Sequence, residues 1–267
     1  MTQTAQAVLA PPSKPFGQRV FDIVLWGGII VLLIASFGPA EISKFPLLFS
    51  NSENMRQFAS GFLNPDFSNW RDLVEKMWLT VQMAIWGTCL AILFAVPLGL
   101  LGARNVTPAF IQLPVRRMMD LIRSVPDLVI GTAFLVAVGL GPFAGVMALA
   151  LNTGGVLAKL FAEAVEAIDR GPVEGVRATG AARLQEIVWG VIPQVAPLWT
   201  SYALYRFESN SRSATVLGLI GAGGIGQILF DSMNSFNYSL TAAISIVIVA
   251  AVTLIDLLSQ TIRARLL

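Results

Sequence analysis

The chain has 267 residues, of which 55% are hydrophobic and only 13% charged, and its mean hydropathy is +0.70. Soluble domains carry about 25% charged residues, so the composition excludes an ordinary soluble enzyme and predicts an integral membrane protein, with length for roughly six spans of about 20 residues each. A net charge of +2 is too small to point to nucleic acid; no histidine and a single cysteine, Cys89, exclude Ser-His and Cys-His nucleophile pairs, an HExxH zinc site, histidine proton relays, an internal disulfide and a cysteine metal cluster.

Met1 to Phe16 is polar and proline-containing and reads as a tail without fixed structure, residues 1–19 lying on the cytoplasmic side. Val20 to Phe37 is apolar except for Asp22 and lacks a small-residue cleavage site, which makes it an uncleaved span rather than a signal peptide. Phe45 to Lys76 reads as a mixed, charged loop with turn signals at Asn51-Ser52 and Asn64-Pro65. Residues 20–72 thus form a first span and external loop, and residues 73–267 the main body.

Leu79 to Ala103 is uncharged and long enough to cross a bilayer. Leu128 to Ala158 is uncharged but too long for one span, and Gly139-Leu140-Gly141-Pro142 breaks it, giving spans near Leu121–Leu140 and Ala144–Ala164. The first of these takes Arg123 and Asp127 into its inner end, where i, i+4 spacing would let them pair. A further span is expected from about Ile187 to Tyr205, followed by the charges Arg206, Glu208 and Arg212, a glycine-rich segment Ser213 to Phe230, and a last span from about Leu240 to Leu258.

The positive-inside rule sets the topology. Lys14, Arg19, Arg104, Arg116, Arg117, Lys159, Arg170, Arg177, Arg183, Arg263 and Arg265 all fall on one side if there are six spans with both termini inside. Counting Ser213–Phe230 as a full span would move the last two arginines outside, so that segment is expected to be a short or re-entrant hairpin buried in protein. The tryptophans near span ends read as interfacial anchors.

The most distinctive stretch lies between Glu163 and Pro193, polar and charged between apolar runs. Gly171-Pro172 is expected to end one helix and open the next. Glu174 would then sit in the first turn, where the helix dipole favours a carboxylate. Val173 and Val176 give a small apolar face, and Gly180 permits a sharp change of direction. On these residues alone, a docking helix and an ordinary cytosolic loop both stand.

Glu174, Gly180 and Pro193 fall at the spacing of the EAA loop of ABC-importer permeases, with Gly175 and Val176 in place of its two alanines, Gly190 for the isoleucine and Ile192 for the leucine. The segments Thr80–Asn105, Ile122-Arg123-Ser124-Val125-Pro126, Gly139–Gly145, Glu163–Asp169 and Arg212–Gly226 further resemble the phosphonate-importer permeases (PhnE type), a likeness covering about Glu75 to the C-terminus. The resemblance implies an all-α polytopic bundle of the type I importer kind in a bacterial cytoplasmic (inner) membrane. It also implies that Val173, Glu174, Val176, Arg177 and Gly180 couple the chain to a cytoplasmic ABC ATPase dimer that binds ATP and Mg. A periplasmic or lipid-anchored binding protein would deliver substrate, and a second permease chain, identical or paralogous, would complete the pore. The substrate implied is a phosphonate or a small phosphorus oxyanion such as phosphite.

Gly221-Ala222-Gly223-Gly224-Ile225-Gly226 matches GxGxxG, but its flanks are membrane-apolar and position 246 is Ile where a ribose-binding acid is needed. No Lys-Ser/Thr follows the glycines to make a Walker A loop, so ATP hydrolysis must come in trans. Gly221, Gly223, Gly224 and Gly226 are read either as part of an outer gate or as a simple tight loop. Arg206 lies thirteen residues beyond Pro193, roughly 20 Å of helical rise, inside the outer half of a bilayer core of about 30 Å. Intramembrane charges face a cavity and pair or bind, and arginine matches phosphate-like oxygens with two prongs. Arg206 or Arg212 is therefore a candidate for the path of an anionic substrate, with Glu208 as structural partner; a helix cap at the outer interface is the other reading. An ion-coupled secondary transporter would need intramembrane acids, and only Asp22, Asp127, Glu208 and Asp256 are on offer, all towards span ends. An intramembrane enzyme would need a nucleophile–base pair that the sequence does not supply.

Overall fold

A computed structural model describes residues 15–50 and 52–266. The expected N-terminal tail lies almost wholly outside the described residues. The chain divides into two units at Gln57/Phe58, and each is taken by itself.

The first unit contains α1 (Phe16–Phe37), an apolar helix of 22 residues with no buried side chain. A 3₁₀ turn (Ile42–Lys44), the short α2 (Leu47–Ser50) and the start of α3 (Ser52–Leu63) follow. The stretch expected to be a loop is therefore partly helical. Ser52 to Leu63 contains no proline, and Glu53 in its first turn complements the helix dipole.

The second unit is built on α4 (Trp70–Gly102, 33 residues) and α7 (Pro142–Glu166, 25 residues). α4 begins nine residues before the apolar run does, because Asp72 in its first turn favours that start. The two helices meet along a seam of small side chains: Gly87, Ala91, Ala95 and Gly99 on α4 recur every fourth residue, and all are buried. Ala150, Gly154, Ala158 and Ala162 repeat the same step on α7. A β-carbon at Gly87 would lie 2.7 Å from Leu149 Cβ, and one at Gly99 would lie 2.7 Å from Phe161 Cβ. In lipid, where apolar side chains gain little by leaving the solvent, such close backbone approach is what holds helices together.

α5 (Ala109–Ser124) and α6 (Asp127–Val138) were expected to form one continuous span around Leu121–Leu140; instead they meet at 90°. Pro126 is the cause: it lacks an N–H and drives Val125 into extended backbone (φ −87°, ψ 126°). The bend separates Arg123 from Asp127, and no ion pair joins them among the described residues. The break at Gly139–Pro142 falls where the sequence places it, with Gly139 at φ +90° and Pro142 opening α7.

After α7 come α8 (Arg170–Ala178), the single turn α9 (Arg183–Gln185), a widened π-helical stretch (Glu186–Val191) and α10 (Ile192–Leu217). α10 does not stop near Tyr205. It runs twelve residues further to Leu217, so Arg206, Glu208 and Arg212 lie within the helix and not beyond its end. A second π-helical turn (Gly218–Ala222) leads into α11 (Ile225–Asn234) at a 60° bend, and α12 (Tyr238–Leu266) closes the chain. Trp199, far from an interfacial anchor, is buried: its ring stacks on Phe161 at 4.5 Å and its indole N–H donates to the Phe161 carbonyl.

Among the described residues, four helices are long and apolar enough to cross a membrane, and there are up to six spans if each bent pair counts as one.

Candidate functional site: a surface helix, a glycine hairpin and a buried arginine

α8 starts two residues earlier than expected. Asp169 caps it, its Oδ1 accepting from Gly171 N–H at 3.0 Å. Gly171-Pro172 thus lies inside the first turn, where the missing proline N–H costs nothing, and Glu174 falls in the second turn rather than the first. Thr179 and Gly180 then close the helix, Gly180 N–H donating to the Arg177 carbonyl at 3.0 Å. Gly180 has φ +81°, which an L side chain rarely adopts.

The coupling candidates divide between two faces. Val173 turns towards the bundle and packs against its core. There Gly190 allows the approach: a β-carbon on Gly190 would lie 3.0 Å from Val173 Cα. Arg177 is bound within the chain, forking onto Glu186 with Nε–Oε1 at 2.8 Å and Nη2–Oε2 at 3.0 Å. These bonds raise the Arg177 guanidinium above its ordinary value and hold the Glu186 carboxyl below the usual carboxylate range. A cavity of about 280 Å³ lies on this side, lined by Arg170, Glu174, Arg177, Arg183 and Glu186 among others. The opposite side is an open concavity of about 620 Å³ lined by Gly175, Val176, Thr179, Gly180 and Trp189 among others. Trp189 and Leu184, both 71% exposed, stand beside the turn. Sequence reasoning took Trp189, near a span end, as an interfacial anchor and passed over Leu184; two large apolar residues in a polar stretch were the available signal.

The arginines of this end are braced together. Arg116 Nη2 meets Glu166 Oε1 at 2.6 Å, which also accepts from Arg104 N–H at 2.7 Å. Lys159 pairs with Asp120 at 2.6 Å, and Arg183 donates to the Val106 carbonyl.

The segment from Gly218 to Gly226 turns the chain by 60° between α10 and α11. Gly221, Gly223 and Gly224 have φ of +104°, +84° and +74°. Gly226 has an ordinary φ and is required for space: its β-carbon would lie 1.9 Å from the Thr215 carbonyl oxygen. Two bonds tie the hairpin down. Gly221 O accepts from Gly141 N–H at 3.1 Å, and Thr80 Oγ1 accepts from Ile225 N–H at 2.9 Å. Both breaks in the apolar runs thus meet at one place, with Thr80 of α4 beside them.

The three charges of α10 do not act together. Positions 206 and 208 are about 200° apart around a helix of 3.6 residues per turn. Glu208, 8% exposed, accepts from Arg212 at 2.8 Å and faces Arg263 of α12 at 3.6 Å. Arg206 turns the other way, its Nη2 donating to Thr153 Oγ1 of α7 at 3.3 Å. Its Nε is buried without a hydrogen-bond partner among the described residues. One turn pair further along that face, Ser213 donates to Asp127 Oδ2 at 2.9 Å.

Long apolar helices, two broken spans and a polar surface helix define a protein of the helical, membrane-spanning class. Residues 95–267 match the family model for the inner membrane component of binding-protein-dependent transport systems, and the chain belongs to that family. It is a permease subunit of an ABC importer, resident in the inner membrane, and not the importer's ATPase. It is 40% identical to the phosphite transport system permease protein PtxC of Stutzerimonas stutzeri, over 92% of this chain and 89% of that one. The phosphate-import permease protein PhnE of Mycolicibacterium smegmatis is 36% identical over 97% of this chain, which spans about half (49%) of that relative's length. Among solved structures, the fold is shared with the MetNI methionine ABC transporter in an inward-facing conformation (TM-score 0.65, 22% identity, 73% of this chain and 96% of that one). It is shared too with a bacterial ABC transporter involved in alginate import (TM-score 0.60, 15% identity, 92% and 99%).

Proposed function

We propose that this permease moves a small phosphorus oxyanion, a phosphonate or phosphite, across the inner membrane in a cycle driven by a separate ATPase. The likeness to PtxC over nearly the full length of both chains carries this reading. Residues 73–267 form the transporting core, and by the positive-inside rule both termini are assigned to the cytoplasmic side. α8 docks on an ATPase dimer that holds ATP and Mg. A binding protein delivers the anion from the other side, and a second permease chain, identical or paralogous, completes the pore.

Within α8 the docking surface is the face of Gly175, Val176 and Gly180 together with Trp189, because Val173 and Arg177 are engaged inward. Glu174 remains exposed. Arg206 lies on the substrate path, while Glu208 ties α10 to Arg263 of α12 and holds Arg212 beside it. The glycine hairpin forms part of the outer gate. Reconstitution with the ATPase and the binding protein tests the whole: ATP turnover should rise when phosphite- or phosphonate-loaded binding protein is added. Uptake in vesicles on an ion gradient alone, without ATP, would overturn it.

A further inference from the structure

Four polar side chains form a line through the apolar middle of the second unit. Thr88 of α4, Asn210 of α10 and Thr153 of α7 are all nearly inaccessible, at 5%, 1% and 1% exposure. Thr88 Oγ1 bonds to the Ala84 carbonyl at 2.7 Å, Asn210 Nδ2 to Thr88 Oγ1 at 2.8 Å, Thr153 Oγ1 to Asn210 Oδ1 at 2.7 Å, and Arg206 Nη2 to Thr153 Oγ1 at 3.3 Å.

Hydroxyl stoichiometry fixes the direction of this line. A threonine hydroxyl has one proton to give. Thr88 gives its proton to the Ala84 carbonyl, so towards Asn210 it can only accept, and the amide nitrogen must face it. The amide oxygen then faces Thr153, which must donate its own proton. Thr153 therefore presents a lone pair to Arg206 and nothing else. A buried network with every member satisfied specifies one arrangement, since any reversal leaves a polar group unpaired in a low-dielectric interior. The line ends at a guanidinium held through one nitrogen, whose Nε has no acceptor.

We propose that Thr88, Asn210 and Thr153 are positioning residues that hold the Arg206 guanidinium, through its anchored Nη2, in one orientation towards the oxyanion path, with its unpartnered Nε–H buried behind. This rests on the reading of Arg206 as part of the substrate path. The guanidinium is delocalised and planar, so anchoring Nη2 also sets the plane in which Nε–H points. Glu208, the carboxylate nearest in sequence, is turned away to Arg212 and Arg263 and does not compete for it.

The test uses the complete complex with ATPase and binding protein in proteoliposomes, with phosphite and methylphosphonate as transported probes. Thr153→Val keeps the side chain's shape and removes the acceptor. It should lower uptake about tenfold, the scale of one hydrogen bond to a charged group, while the complex still assembles. Thr153→Ser should restore uptake. Arg206→Gln should lose at least as much, and the double variant should lose no more than Arg206→Gln alone. Normal uptake by Thr153→Val, or multiplicative losses in the double variant, would overturn the relay. Normal uptake by Arg206→Gln would instead remove Arg206 from the path and the proposal with it. If the unaltered complex takes up neither probe, the substrate reading fails on its own. The relay is then judged by melting temperature: shifts from Thr153→Val and Arg206→Gln that do not add support it, and shifts that add refute it.

Discussion

Arg177 and Glu186 meet as a two-pronged fork across the Gly180 turn, joining the end of α8 to the foot of the helix that crosses the membrane. The fork makes α8 and the base of α10 a single piece, and its dependence on pH follows from the two shifts. Glu186 is lowered in the folded chain, first by its hydrogen bond with Arg177, so its contribution is complete above the ordinary carboxylate range and is lost as pH falls through the lowered value. Arg177 is raised, so its share is lost only in strong base. Protection of the amides at 179–183, taken as exchange relative to the intrinsic rate at each pH, should stay constant across neutral pH and fall only in acid. In Glu186→Gln the acid step should vanish and protection should be low throughout.

Gly180 and Gly175 differ in what a methyl group would do. Neither would meet an atom within 4 Å, but only Gly180 has a positive φ. Gly180→Ala should cost about 1–2 kcal/mol in backbone strain and uncouple ATP turnover from uptake. Gly175→Ala, in a helix and with room, should be neutral or stabilising by up to about 1 kcal/mol. Melting temperature and the ratio of uptake to ATP hydrolysis read both.

Gly226→Ala should fail where Gly175→Ala succeeds. Its methyl would lie 1.9 Å from the Thr215 carbonyl oxygen, and backbone cannot move aside cheaply. Gly223→Val adds strain at φ +84° with Pro142 at 3.6 Å. Both should cut uptake, Gly226→Ala with a lower melting temperature as well. Full uptake by Gly223→Val would rule out the gate.

Glu208 is the anion of a partly enclosed triad, and removing its charge leaves Arg212 and Arg263 facing each other. Breaking a buried ion pair costs about 3–5 kcal/mol, so Glu208→Gln should lower the melting temperature by several degrees. Arg212→Gln should cost less, because Arg212 is half exposed, at 51%. It should leave uptake near normal, unlike Arg206→Gln.

The fold class and the membrane-spanning helices α1, α4, α7 and α12 were legible because long uncharged runs carry their meaning in composition alone. The elbow at Pro126 was written in the sequence as plainly as the break at Gly139–Pro142, yet continuous apolarity on its C-terminal side suggested an unbroken span. The extension of α10 to Leu217 was hidden for the opposite reason. Arg206, Glu208 and Arg212 look like a helix exit in one dimension, and only the packing of α7 and α12 supplies Thr153 and Arg263 as partners. The spacing around Gly180 located the surface helix, but not which of its faces is free. That depends on Gly190, whose meaning appears only when Val173 is seen against it. Thr88, Thr153 and Asn210 lie far apart in the sequence, and their shared role is a property of three helices at once.

The seam between α4 and α7 has a mechanical consequence. Where long side chains interdigitate, helices can slide by changing rotamers; here Gly87 and Gly99 bring Leu149 and Phe161 hard against the α4 backbone, which leaves those side chains little room to do so. The pair therefore behaves as one beam. Turning during the transport cycle is then left to the breaks beside the beam: the Pro126 elbow, whose flanks pack against the middle of α7, and the glycine bend, which packs on Pro142 and Thr80.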